Sequence, residues 1–421
     1  MMRFVSLVVA LAGLAIGAMP WPQAKASEWV ILVGGDTDGY LAPCGCTKPM
    51  SGGIRRRASA IESLRLPGRT LVLENGGLVA GEGRQDVMKA ETMAQFLQKV
   101  GADAVHLTPS EGRLGKGGVL SISRLLGSPL VSGSVGVSDL PVVPTVGKGP
   151  FLVGAASVRA ADLGQSLATP AVAAEAVAAD LVQQSVDLRL APILMLAGTK
   201  AEATAIAQRN PKLRLVVYRS NGAAASSPTQ VGSTWLVSPG EKGKAILRLS
   251  FADGRMKTYA AVALGPSLKD EPAVARFYRA YLGRVSAANL LNDVPREETT
   301  DYAGSKACIT CHQTTHQSWS VTDHARALRT LEDVGHDRDP DCVSCHVVGL
   351  ESTKGFRDRL KTPELANVGC ESCHGPGKAH TANPKQAVMG KVGEKSCRPC
   401  HVPDHSPGFD FLTYWRKISH K

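Results

Sequence analysis

The chain has 421 residues, 43% hydrophobic and 20% charged, a composition that excludes a mostly disordered protein and a length that suits two or three domains. Its formal net charge of +11 raises the question of nucleic acid or acidic partners. Eight of the ten cysteines and ten of the eleven histidines lie after residue 300, which excludes a uniform single-domain enzyme and points to metal or cofactor chemistry at the C-terminal end.

At the N-terminus, Arg3 precedes an apolar run from Phe4 to Ala18, and Ala24-Lys25-Ala26 offers a small-residue cleavage site before Ser27. This is the layout of a secretory signal peptide over residues 1–26. The run is shorter than the roughly 20 residues that span a bilayer. The mature chain is expected to be exported, periplasmic or otherwise, with no integral membrane span after cleavage.

Residues 27–270 alternate strands and helices. Val30–Val33 and Thr70–Leu73 are expected strands, with a basic amphipathic helix over Ile54–Leu66 between them. A helix over Val87–Val100 and a strand over Ala104–Leu107 follow. Ala171–Gln184 reads as helix, and Ile193–Leu196 and Leu213–Tyr218 as strands. Val231–Val237 and Ala245–Phe251 read as a late hairpin turning at Pro239-Gly240. The alternation predicts a layered α/β domain with a parallel component. Arg55-Arg56-Arg57 reads as a solvated helix face, and His106 as a core residue on its strand. Cys44-Gly45-Cys46 is a pair with two readings, an inert loop or a redox or soft-metal site. Residues 271–300 read as a helical linker, with Ala273–Leu291 as the helix and Pro295 near the boundary.

Residues 301–421 carry four C-x-x-C-H repeats, the attachment pattern of c-type haem. The cysteine pairs are Cys308 and Cys311, Cys342 and Cys345, Cys370 and Cys373, and Cys397 and Cys400. Two thiols one helical turn apart can each bond one porphyrin, and the next residue then offers its imidazole to the iron. His312, His346, His374 and His401 are therefore the proximal ligands of four covalently bound haem c groups. A zinc site would not require the fixed histidine four times over. About 30 residues per haem is too few for separate apolar pockets, so this domain should be mainly α, loop-rich, and built around its own cofactors. Met389 is the single methionine after residue 300, which makes bis-histidine ligation the default; the spare histidines are His316, His324, His336, His380, His405 and His420.

Several stretches of this segment resemble the tetrahaem cytochrome c-554 family. They are Gly304-Ser305-Lys306-Ala307-Cys308, the Trp319–Leu328 stretch ending HARAL, GCESCHGPGKAH over Gly369–His380, and SPGFDFLTYWRKISH over Ser406–His420. The resemblance implies His324, His380 and His420 as distal ligands, with three six-coordinate haems and one five-coordinate. His316, His336 or His405 could instead fill the fourth site. The expected function is electron transfer through closely packed, mostly bis-histidine haems. The alternative is a haem oxidoreductase acting on a small nitrogen or sulfur species at a five-coordinate iron.

The first domain distantly resembles the 5′-nucleotidase-like metallophosphatases. Gly34-Gly35-Asp36-Thr37-Asp38-Gly39-Tyr40 falls where that family has Asp-x-His-Gly, and Gly52–Ala58 matches its glycine-arginine helix start. Leu73–Gly77 falls where Asp-x-Gly-Asp supplies a bridging ligand, and Leu107–Glu111 where Gly-Asn-His-Glu supplies the catalytic pair. The matching residues have changed: Asp38 stands for the histidine, Gly77 for the bridging aspartate, and Pro109-Ser110 for the Asn-His pair. The later histidine motifs fall near Ala197-Gly198 and Arg219-Ser220. A two-metal hydrolase needs several carboxylates and histidines around both ions, so phosphatase activity is not expected and haem iron is the expected metal. The charge divides unevenly too. Residues 301–421 hold 16 Lys and Arg against 14 Asp and Glu, and residues 27–300 carry +7. This favours acidic redox partner proteins over nucleic acid.

Overall fold

A computed structural model describes residues 28–43, 50–136, 139–403 and 405–420. The expected signal peptide and the Cys44/Cys46 pair lie outside the described residues.

The first domain is a four-layer sandwich of two sheets with helices on both outer faces. One sheet runs Arg255–Ala263, Ala245–Ala252, Trp29–Gly34, Thr70–Glu74 and Ala104–Val105 from edge to edge. The other runs Thr229–Val231, Thr234–Val237, Leu215–Val217, Ala191–Ala197, Phe151–Ser157 and Thr145–Lys148. Trp29–Gly34 shows why its sequence is an unbroken apolar run: successive side chains point to opposite faces, and both faces are covered. Ile31 and Val33 enter the core between the sheets, with Leu71, Val153, Ile193 and Leu249. Val30 and Leu32 face the other way, onto a core shared with the helices Ile54–Leu64, Arg84–Lys99, Gly115–Leu126 and Pro272–Ala288. The helices Ala174–Leu188 and Lys200–Arg209 cover the second sheet.

Three expectations change here. The Val231–Val237/Ala245–Phe251 hairpin does not form. Thr234–Val237 pairs in parallel with Leu215–Val217 and turns back on Thr229–Val231, while Ala245–Ala252 joins the first sheet and pairs with Arg255–Ala263. Gly240 (φ +78°) sits at the crossing, where a Cβ would come within 2.4 Å of the Ala224 nitrogen. The Arg55–Arg57 run is not a solvated face: Arg57 is 2% exposed and ion-paired with Glu74, itself 1% exposed, and Arg55 pairs with Asp270 at 2.9 Å. The expected linker helix, Pro272–Ala288, buries Val274, Tyr278, Tyr281 and Val285 in the first domain's core.

The C-terminal region is short helices and turns, in keeping with the mainly α, loop-rich domain expected there. Its apolar core is small, with Leu291, Leu328, Val343, Val348, Phe356 and Leu365 at its centre. The final helix is Phe411–Ile418, so His420 follows it rather than lying within it.

Candidate functional site

In the C-terminal region each C-x-x-C-H is wound into about one helical turn. The His312 and His401 amides donate to the carbonyls of Cys308 and Cys397, both at 2.9 Å. The third motif is the helix Cys370–His374. In the second, Asp339 caps the turn Pro340–Val343, and the His346 amide donates to Val343 at 2.9 Å. One turn brings both sulfurs and the imidazole to the same side, as attachment to one macrocycle requires. None of these eight cysteines is in a disulfide, and Cys308 lies against Cys370, and Cys345 against Cys400.

The histidines pair across the fold. His312 faces His380 with ring centres 6.3 Å apart, His401 faces His324 at 6.2 Å, and His374 faces His420 at 5.9 Å. An imidazole nitrogen binds a transition metal at about 2.0–2.1 Å and stands about 1.1 Å from its own ring centre, so two trans ligands have centres about 6.3 Å apart. Each of the three distal candidates meets a different proximal histidine. His346 has no histidine ring opposite it among the described residues.

The outer nitrogens are held as ligand imidazoles need. Nδ1 lies 2.6 Å from the Ala327 carbonyl in His346, 3.0 Å from Gly390 in His374 and 2.7 Å from Ala387 in His380. A donor bond there fixes the tautomer and leaves Nε2 for a metal. Burial lowers the pKa of His324 and of His401, favouring the neutral form that ligates. The residues therefore fit four haem c groups. Glu371 ties the third motif to the first: its carboxylate accepts from the Ala303, Gly304 and Gly377 amides at 2.8, 2.7 and 2.6 Å.

This region matches the family model for cytochrome c554 and c-prime over residues 307–375. It is also 36% identical over 126 residues to cytochrome c-554 of Nitrosomonas europaea, an alignment covering 26% of this chain and 50% of that protein. The C-terminal region is cytochrome c-554-like. That likeness implies covalently bound c-type haem. The chain spans about half the length of this curated relative.

The first domain has a second candidate site, at the carboxyl ends of its parallel strands, where α/β sheets hold ligands. Asp36 and Asp38 follow Trp29–Gly34, both with positive φ, and Asn75–Gly77 follow Thr70–Glu74. Arg219 reaches in from beyond Leu215–Val217. Its guanidinium contacts Asp36 and lies 3.5 Å from Asp38 Oδ1. A Cβ on Gly77 would stand 2.9 Å from both Arg219 Nη2 and Asp36 Oδ1, so a side chain at the bridging-ligand position would meet the guanidinium. At the catalytic-pair position, Thr108 and Glu111 form a capping box that starts the short helix Pro109–Gly112, and Glu111 accepts from the Leu78 amide at 2.6 Å. Burial pushes Asp36 up to about 8, against the pull of Arg219. Burial, with Arg219, lowers His106 to about 3, and this histidine is a core residue hydrogen-bonded to Asn75 at 3.4 Å. These residues do not fit a dinuclear metal centre, because an arginine already supplies the cation.

The fold of this domain is metallophosphatase-like. The 5′-nucleotidase precursor of Thermus thermophilus superposes with a TM-score of 0.53 at 17% identity, covering 73% of this chain and 68% of that one. Haemophilus influenzae NAD nucleotidase gives 0.54 at 14%, covering 67% and 64%. Arg219 is the residue whose role sequence reasoning missed. The available signal was an arginine where the family keeps a histidine motif.

Proposed function

We propose that the protein is an exported tetrahaem electron carrier built on a metallophosphatase-like scaffold. Cys308/Cys311, Cys342/Cys345, Cys370/Cys373 and Cys397/Cys400 would each hold one haem, which supplies one-electron chemistry. His312 with His380, His374 with His420, and His401 with His324 would hold the irons of three of these haems. The observation that carries this reading is the one-to-one facing of three proximal histidines with three distal ones. The placement of the sulfurs supports an order: the first motif neighbours the third through Cys308 and Cys370, and the second neighbours the fourth through Cys345 and Cys400. Acidic redox proteins are the expected partners of the +7 scaffold, which is expected to hydrolyse no nucleotide.

The test is EPR of the oxidised protein with a haem count by mass. Four haems, three low-spin and one high-spin, are expected. Fewer than four haems would sink the reading. A second reading follows from His346 standing without a facing histidine: a small nitrogen or sulfur species reacting at that iron. A high-spin signal that shifts on adding NO or hydroxylamine supports it, and an all-low-spin spectrum with no shift rejects it. Metal-dependent nucleotide hydrolysis by the purified protein would overturn the scaffold role of the first domain.

A further inference from the structure

The two domains meet along a polar seam that ends on the second haem motif. From the helix Arg84–Lys99, Gln85 Nε2 donates to Asp339 Oδ1 at 2.8 Å and to the Tyr281 hydroxyl at 2.9 Å. One turn on, Lys89 Nζ donates to Asp341 Oδ2 at 2.5 Å. From the helix Pro272–Ala288, the Tyr278 hydroxyl lies 3.4 Å from His336 Nε2, and His336 Nδ1 lies 3.5 Å from Cys342 Sγ. His336, Asp339 and Cys342 bring their donor atoms within 4.8 Å of one another. With the Cys342 sulfur committed to haem, this cluster is part of the haem's surroundings rather than a separate ion site.

Lys89 is the unusual member. Its side chain is only 12% exposed, and its stem runs under Gly39, where a Cβ would be 3.0 Å from Lys89 Cδ. Burial works against its charge, but Asp341, Asp339 and Asp86 more than offset that and raise its pKa. The first domain therefore holds an ammonium, itself mostly buried, against the exposed carboxylate of Asp341, the residue next to Cys342. A nearby positive charge favours the reduced iron, which carries one charge less, and a nearby carboxylate favours the oxidised one.

We propose that Lys89 and Asp341 are positioning charges through which the first domain sets the reduction potential of the haem bonded at Cys342, Cys345 and His346. This rests on the four-haem reading. The test is a redox titration of full-length, haem-loaded protein, with the visible spectrum and EPR followed together. Lys89→Met should lower, and Asp341→Asn should raise, the reduction equilibrium constant of one haem of the four about tenfold, or about 59 mV for one electron. Lys89→Arg should keep the wild-type value. A merely structural seam would move both variants in the same direction, or neither, and either result overturns the proposal. If Lys89→Met does not fold, the sign of the Asp341→Asn shift decides alone. A wild-type haem count below four would instead remove the attachment reading.

Discussion

The two domains hold themselves together by opposite means. The first buries continuous apolar strands on both faces and carries three large apolar clusters. At the carboxyl ends of its parallel strands, charged and polar groups meet internal partners, Arg219 on Asp36 and the capping box of Thr108 and Glu111. The C-terminal domain has one modest apolar cluster, leaves Val321, Leu360, Val388 and Leu412 exposed, and carries the four C-x-x-C-H motifs. A domain with a large apolar core needs no cofactor to fold, whereas a small apolar core leaves a cofactor to supply part of it.

The largest effect should come from separating the two. Replacing all eight attachment cysteines with serine should abolish ordered structure over residues 301–420 while the first domain keeps its cooperative transition. Limited proteolysis with mass analysis would check this, and a protease-resistant C-terminal fragment would break the comparison. Next in size is the buried ion pair of Arg57 and Glu74. Glu74→Ala strands a guanidinium that is 2% exposed, which typically costs about 3–5 kcal/mol. Chemical denaturation of the first-domain transition should show that loss and leave the haem spectrum unchanged.

What was legible in the sequence follows the same division. The haem motifs impose their own spacing, so Cys308 through His401 could be named without a fold. The apolar run Trp29–Gly34 and the periodic helix Arg84–Lys99 were legible because burial on both faces, or on one, writes a pattern. The late hairpin was misread because Thr234–Val237 and Ala245–Ala252 are neighbours in sequence but enter different sheets, and apolar alternation does not say which sheet a strand joins. Arg57 was misread because three consecutive arginines look solvated until Glu74, 17 residues on, proves to be buried beside the last of them. Nothing in spacing set His336 apart from the other spare histidines, since its neighbour Tyr278 is brought to it by the domain seam.

A smaller effect separates the domains by pH. Asp36 titrates near 8 in the folded first domain against an ordinary value of 3.8, mainly because burial disfavours its charge. The folded state thus binds a proton that the unfolded chain releases. Stability from this group is full below about pH 4 and declines as pH rises toward 8. Asp36→Asn should flatten that slope in the first-domain unfolding transition. A slope that survives the substitution would assign it elsewhere. The C-terminal transition should not respond to this change, since Asp36 belongs to the first domain alone.

The smallest effect tests whether the seam is held by charge at its rim or by the buried members at its centre. Arg84 and Asp293 form a rim pair at 2.9 Å with side chains 60% and 42% exposed. Water and salt screen such a pair, and ordering two long side chains offsets most of its Coulomb gain, so Arg84→Ala should cost under about 1 kcal/mol and vanish at high salt. Gln85 is different, because its amide bridges Asp339 and Tyr281 in a half-buried position. Gln85→Ala removes one of the two donors to Oδ1 of Asp339, a residue that is 5% exposed and keeps the Asp341 amide at 3.1 Å, and losing a hydrogen bond to a charged group costs about 1.5–3 kcal/mol. A double-mutant cycle over Arg84 and Gln85 should therefore show the larger loss at Gln85 and only a few tenths of a kcal/mol of coupling between them. If the ranking inverts, the contact is an electrostatic rim rather than a packed seam, and the first domain would hold the haem motif loosely.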